Sequence, residues 1–202
     1  VSAATIHVPA DQPTIQAGID AALPGETVLV ADGTYKGEGN KNIDFKGKAI
    51  TVQSENGPTN CIIDCENDGR GFWFHSGEGS DSVLAGLTIT RGHDGYSGGG
   101  ILCENSSPTI SNCKITRNSS DFGGGICFIE ASPTISDCEI TENSSLDGGG
   151  IAFTYSSGTI AGCIISNNIA SQSGGGGLLG SNSTVIISDC TVEDNSGRVG
   201  GG

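Results

Sequence analysis

From Gly98 onward this chain repeats itself about every 25 residues, and no other feature constrains its fold as strongly. The units open at Gly98-Gly99-Gly100-Ile101, Gly123-Gly124-Gly125-Ile126, Gly148-Gly149-Gly150-Ile151 and Gly175-Gly176-Gly177-Leu178. Another begins at Gly200-Gly201-Gly202. Each full unit carries a cysteine at one fixed place (Cys113, Cys138, Cys163, Cys190) and an asparagine five residues on (Asn118, Asn143, Asn168, Asn195). A constant period of this size marks a stacked array, in which each unit buries its apolar face on the next.

Within one unit, Ile126-Cys127-Phe128, Thr134-Ile135-Ser136 and Glu139-Ile140-Thr141 read as short strands separated by turn residues. Alternation directs Ile126 and Phe128 inward and Cys127 outward. Three short strands per coil predict an all-β fold, a single-stranded parallel β-helix of about seven coils stacked roughly 4.8 Å apart. Like residues then form inward files. Ile101, Ile126, Ile151 and Leu178 make one file, and Cys103, Phe128, Phe153 and Gly180 the next. Ile110, Ile135, Ile160 and Ile187 follow, then Ile115, Ile140, Ile165 and Val192. Glycine triplets and β-branched runs argue against an array of helices.

The chain reads as one domain over residues 1–202, in three stretches. Residues 1–26 form an N-terminal cap, 27–97 less regular coils, and 98–202 the regular repeats. In the cap, residues 11–23 are expected to be a short amphipathic helix over the open end of the stack. Pro13 lies in its first turn, and Ile15, Ile19 and Leu23 share a face. Such a cap shields the first strand edges.

The net charge of −14 disfavours nucleic acid and anionic membranes as partners. No apolar run reaches the roughly 18 residues of a membrane-spanning helix. The opening Val1-Ser2-Ala3-Ala4 is compatible with cleavage of a leader. Eight cysteines, an even number, point to an oxidising compartment. Four of them stand in one file, where they serve as small buried apolar residues with no need to bridge. Cys61 and Cys65, four residues apart on one strand, are too distant to bond without a bend. No cysteine or histidine spacing suits structural zinc.

Several residues carry a resemblance. The Gly-Gly-Gly-Ile units followed by Ile115-Thr116-Arg117-Asn118, Ile140-Thr141-Glu142-Asn143 and Ile165-Ser166-Asn167-Asn168 resemble the repeats of polymorphic outer membrane proteins. The opening Pro13-Thr14-Ile15-Gln16-Ala17-Gly18-Ile19-Asp20-Ala21-Ala22, with Gly25-Glu26-Thr27-Val28 and Asp32-Gly33-Thr34-Tyr35, is similar to that of secreted right-handed β-helix proteins of the pectate-lyase-like superfamily. The resemblance implies a right-handed coil and an extracellular or cell-surface place. It leaves activity open, since that superfamily holds lyases, hydrolases, esterases, adhesins and scaffolds.

In that superfamily lyases hold calcium with acidic residues against a uronate and use Arg or Lys as base. Residues here that fit such roles are Asp64, Glu66 and Asp68 for calcium, and Arg91, His93 and Asp94 for catalysis, with Arg70 and His75 nearby. None of the superfamily's Asn-Thr-Asp, Gly-His-Gly or Arg-Ile-Lys signatures occurs. The glycine triplets follow no strand-to-helix pattern, so they read as tight corners rather than phosphate loops. The asparagine file reads as an internal amide ladder. Asn105, Asn118, Asn143 and Asn182 also begin glycosylation sequons, and those on the ladder are expected to be inaccessible. Trp73, Tyr96 and Tyr155 are the plausible sugar-stacking platforms.

The expected function is therefore an extracellular, non-catalytic rod that spaces, adheres or assembles, with further copies of itself (head-to-tail or side-by-side) or glycans as partners. A polysaccharide lyase or glycosidase acting on acidic polysaccharide is the alternative, and a glycan-binding module the third reading.

Overall fold

The computed structural model describes residues 4–172, 174–198 and 200. The chain winds into an all-β parallel solenoid of about seven turns with one short helix near its N-terminus. Gly201 and Gly202, the end of the fifth glycine triplet, lie outside the described residues.

Each regular turn has four strand segments, one more than the sequence suggested. In one turn they are Thr109–Ser111, Lys114–Thr116, Ser119–Phe122 and Ile126–Ile129. Stacked turns give four sheets, here called faces one to four, of eight, seven, five and six strands in chain order around the coil. Face three was missed because its strands, such as Ser119–Phe122 and Ser144–Asp147, lack β-branched residues. Their strand state comes from the neighbouring coils: Ser119 N donates to Gly92 O (2.8 Å) and Ser144 N to Asn118 O (2.9 Å).

The inward files hold as expected. Ile110 pairs with Ile135, Ile115 with Ile140, Ile101 with Ile126 and Cys103 with Phe128, all parallel. Cys113, Cys138, Cys163 and Cys190 form a single file. Each of the first three backbone N–H groups meets the next coil's Sγ at 3.4 Å. All eight cysteines are free thiols.

Four corners join the faces, and each places a residue in the left-handed region. Asn112 and Asp137 (φ 49° and 53°) turn face one into face two, and Arg117 and Glu142 (both 57°) turn face two into face three. Gly123 (65°) turns face three into face four, and Asn105 and Glu130 (48° and 51°) lead back to face one. Only one of the four uses glycine in successive turns, at Gly98, Gly123 and Gly148. Elsewhere Asn and Asp, which adopt this conformation readily, alternate with Glu and Arg, for which it costs roughly 1 kcal/mol each, compensated by the stacked ladder around them.

The rest of each glycine triplet answers to space rather than to dihedral angle. A Cβ on Gly124 would fall on the Ser144 carbonyl oxygen, and one on Gly125 within 2.6 Å of Gly150 O.

Two expectations are corrected. Cys127 does point away from the main core, but it is fully buried. With Leu102 and Ala152 it forms an outer apolar strip on face four, covered in part by Phe122 and Ile129. The helix is also shorter than residues 11–23. It spans Ile15–Ala21, capped by Thr14, whose hydroxyl accepts from Ala17 N (3.2 Å). Pro13 precedes the cap, and Leu23 lies beyond the helix and is exposed. Ile15 and Ile19 are fully buried as expected. A Cβ on Gly18 would stand 2.8 Å from Val28 Cγ1 and 3.0 Å from Val8 Cγ2, so the helix is seated tightly on the first two strands of face one.

Candidate functional site

The regular coils are nearly uniform, and chemical variety gathers where the irregular coils meet them. There Arg70 precedes the face-four strand Phe72–Phe74. Asp94 and Tyr96 lie on the first face-three strand, His93–Ser97. Together with Asn42, Trp73, Ser97, Leu102 and Glu104 they line an open groove of about 420 Å³.

Arg70 organises this groove. Its side chain is almost fully buried. Nε donates to Gly98 O (2.9 Å), Nη2 donates to Ser97 O (2.7 Å), and Nη2 lies 3.1 Å from Asp94 Oδ1. Asp94 Oδ1 also accepts from Tyr96 N (3.0 Å) and Ser97 N (3.3 Å). The guanidinium thus pins the turn that carries Tyr96. Burial draws the Arg70 pKa below its ordinary value, while Asp94 and Glu104 push it back up.

Trp73 forms the floor. Its Nε1 donates to Glu104 Oε2 (2.8 Å), and the Arg70 guanidinium carbon lies 5.5 Å from its ring centroid. His75 stacks on it with centroids 3.8 Å apart, and His75 Nε2 lies 3.4 Å from Asp44 Oδ2. Tyr96 is 83% exposed, so its ring is open to a ligand.

The other sequence candidates do not converge. Arg91 sits in a left-handed corner and pairs through Nε and Nη2 with Asp64, which also meets Lys36 (3.3 Å). Arg91 holds the Asp64 carboxyl below its usual range, with burial opposing and the Glu66 N–H assisting. Glu66 accepts from Gly37 N (3.2 Å), and Asp68 pairs with Lys41 (2.8 Å). Glu66 (3.8 Å) and Asp68 (2.8 Å) thus share Lys41, while Asp64 faces Arg91 and Lys36, so the three carboxylates meet side-chain cations rather than one another. His93 turns to the outer surface of face three, where Nδ1 meets Ser119 Oγ at 2.9 Å. Arg91, His93 and Asp94 lead to three separate sets of partners.

The ladder residues are structural. Asn143 Nδ2 donates to Ile115 O (2.9 Å) and Asn168 Oδ1 (3.0 Å), and its Oδ1 accepts from Asn118 N (3.0 Å). Asn118 and Asn168 repeat the pattern, and Asn195 accepts from Asn168 at its end. The sequon amides of Asn118 and Asn143 lie inside the tube. Those of Asn105 and Asn182 stand on exposed corners.

Residues 26–178 and 99–201 match the family model described as right handed beta helix region. The chain belongs to the right-handed β-helix family. No curated protein matches the sequence. Among solved structures this β-helix is similar to the rice weevil pectin methyl esterase (12% identity, TM-score 0.54) and to pectate lyase Pel9A (16% identity, TM-score 0.54). Each likeness covers 92% of this chain but only 65% and 62% of the two enzymes, and at such identity it shows the fold alone.

Of the three aromatic platforms marked in the sequence, the β-helix brings Trp73 and Tyr96 together and leaves Tyr155 on a left-handed corner outside the groove. The buried Arg70 that joins them was noted only as a neighbour. Its signal was the Asp-Gly-Arg-Gly turn just before Phe72-Trp73-Phe74.

Proposed function

We propose that this protein is a non-catalytic β-helical scaffold that adheres to saccharide chains through the Trp73–Tyr96 groove. One observation carries the reading: an open tyrosine ring and the edge of a tryptophan flank one groove with carboxylates and a guanidinium. Aromatic rings stack on the C–H faces of sugars, and carboxylates accept from hydroxyls. The polar groups here serve binding better than turnover. Arg70 is committed to Asp94 and two carbonyls, and Glu104 is held in place by Trp73 through one of its two oxygens. An extracellular place belongs to the same proposal, supported by the likeness of the glycine units to polymorphic outer membrane protein repeats.

Affinity electrophoresis in polysaccharide gels tests it. Retardation by a polysaccharide, abolished in Tyr96→Ala and unchanged in Tyr155→Ala, supports the reading. Retardation indifferent to Tyr96 removes it. A lyase or glycosidase would show unsaturated or reducing products in the same mixtures.

A further inference from the structure

We infer that the groove selects saccharide chains bearing protonated amines over neutral chains, and excludes uronates. The inference rests on the saccharide reading above and concerns its charge preference.

The charges on the groove decide it. Its one guanidinium, Arg70, is buried and already neutralised by Asp94 at 3.1 Å, so it has little left to offer a ligand carboxylate. Glu104 is different. One oxygen accepts from Trp73 Nε1, and the other has no hydrogen-bond partner among the described residues. Asp44, outside the groove, is occupied by His75 Nε2 (3.4 Å) and the Lys46 N–H (2.7 Å), so Glu104 carries the acidic side alone. The ligand therefore meets a carboxylate beside the open Tyr96 ring and the edge of Trp73. That arrangement stabilises an ammonium group, by charge-assisted hydrogen bonding to Glu104 and by attraction to the Tyr96 face. The whole molecule, at −14, adds a field of the same sign. A uronate polymer would be repelled by both.

The groove also favours a saccharide over a basic peptide. An extended peptide gains affinity by pairing its backbone with a free strand edge. Here the strands run around the coil, and the Phe72–Phe74 strand is hydrogen-bonded on both sides, to Ile43–Asp44 and to Ile101–Glu104. A sugar ring needs only the open Tyr96 face and the acceptors.

The test compares a glucosamine oligomer, its N-acetylated form, a galacturonate oligomer and oligolysine by titration calorimetry at two salt concentrations. The expected order is glucosamine, then N-acetylglucosamine, with no binding of galacturonate. Added salt weakens the first and spares the second. Glu104→Gln keeps the bond to Trp73 but removes the charge, and reduces the glucosamine preference roughly tenfold. Galacturonate binding as well or better, still dependent on Tyr96, overturns the charge preference and leaves the saccharide reading standing. Binding by none of the sugars ends both. Glucosamine binding indifferent to Glu104→Gln and Tyr96→Ala reduces it to general attraction by the acidic surface, and overturns the inference. Tighter, Tyr96-dependent binding of oligolysine does the same.

Discussion

Inside this tube a polar side chain is tolerable only because the coil above and below repeats it. Asn143 meets Asn118 on one side and Asn168 on the other, and each amide satisfies its neighbour's donors and acceptors. An internal Asn143→Ala change strands the Asn118 N–H groups and the Ile115 carbonyl together. Buried groups left unpaired cost about 1–3 kcal/mol each. Urea unfolding should therefore show a loss of about 3 kcal/mol; a loss under ~1 kcal/mol would deny the ladder its role. Glu78 follows the same logic in a single place. It is almost fully buried and accepts from Gly47 N, Ser76 N and Ser106 Oγ, each at 2.8 Å. Burial raises its pKa, but the backbone N–H groups and the Ser106 hydroxyl lower it further, so the net value falls below the ordinary 4.5. A carboxyl whose pKa is lower folded than unfolded stabilises the fold above that ordinary value, and the contribution is lost as pH falls through the folded value. Glu78→Gln should thus cost about 2 kcal/mol at neutral pH. The gap to wild type should narrow as thermal melts are repeated below pH 4.5.

At the scale of the element, the corner decides what the strand does. Left-handed turns at the corners let short strands close on themselves, and three of the four corners are built mostly from Asn, Asp, Glu and Arg instead of glycine. Asn112, at φ 49°, is exposed. Replacing it by valine should destabilise by about 1–2 kcal/mol, whereas glycine should leave stability within about 0.5 kcal/mol. Equal melting of the two variants would show that the corner is not strained. The glycine triplets fail for another reason. Gly124→Ala drives a Cβ into the carbonyl oxygen of Ser144, with no flexible side chain to yield. A loss of about 3 kcal/mol or more is expected, while Gly79→Ala, with nothing within 4 Å, should be neutral in the same assay. The triplets themselves were legible in the sequence as corners. The charged corner residues were not, because Arg117 or Glu142 in isolation gives no sign of a left-handed backbone; only the stack makes one affordable.

For the molecule as a whole, burial replaces covalent staples. Burial pushes the thiols of Cys61, Cys65 and Cys127 up to about 12. The file from Cys113 to Cys163 is packed behind the corner between faces one and two. A thiol reagent should label at most Cys190, the one partly exposed cysteine, in the native protein, and all eight after unfolding. Melting should be unchanged by a reductant. Rapid native labelling of several thiols would contradict the packed interior, and a melting temperature lowered by reductant would reveal cross-links that this fold does not need. The groove belongs to this scale as well. Arg70, Trp73, Asp94, Tyr96 and Glu104 span more than a full turn of sequence and meet only because successive coils stack.

The period, the inward files and the helix over the open end were determined by the sequence itself. A parallel coil stacks like on like, so the apolar pattern of one unit specifies the next. What the tertiary structure decided were features that no single repeat contains. Face three exists because its serines find ladder partners on adjacent coils, not through any strand preference of their own. Cys127, outward by alternation, is dry because Leu102 and Ala152 flank it on the adjacent coils and Phe122 and Ile129 pack against the strip. Arg91, His93 and Asp94, neighbours along the chain, are sent to separate partners by the corner at Arg91, while Tyr96 and Trp73, from different coils, are brought to one groove by the winding of the backbone.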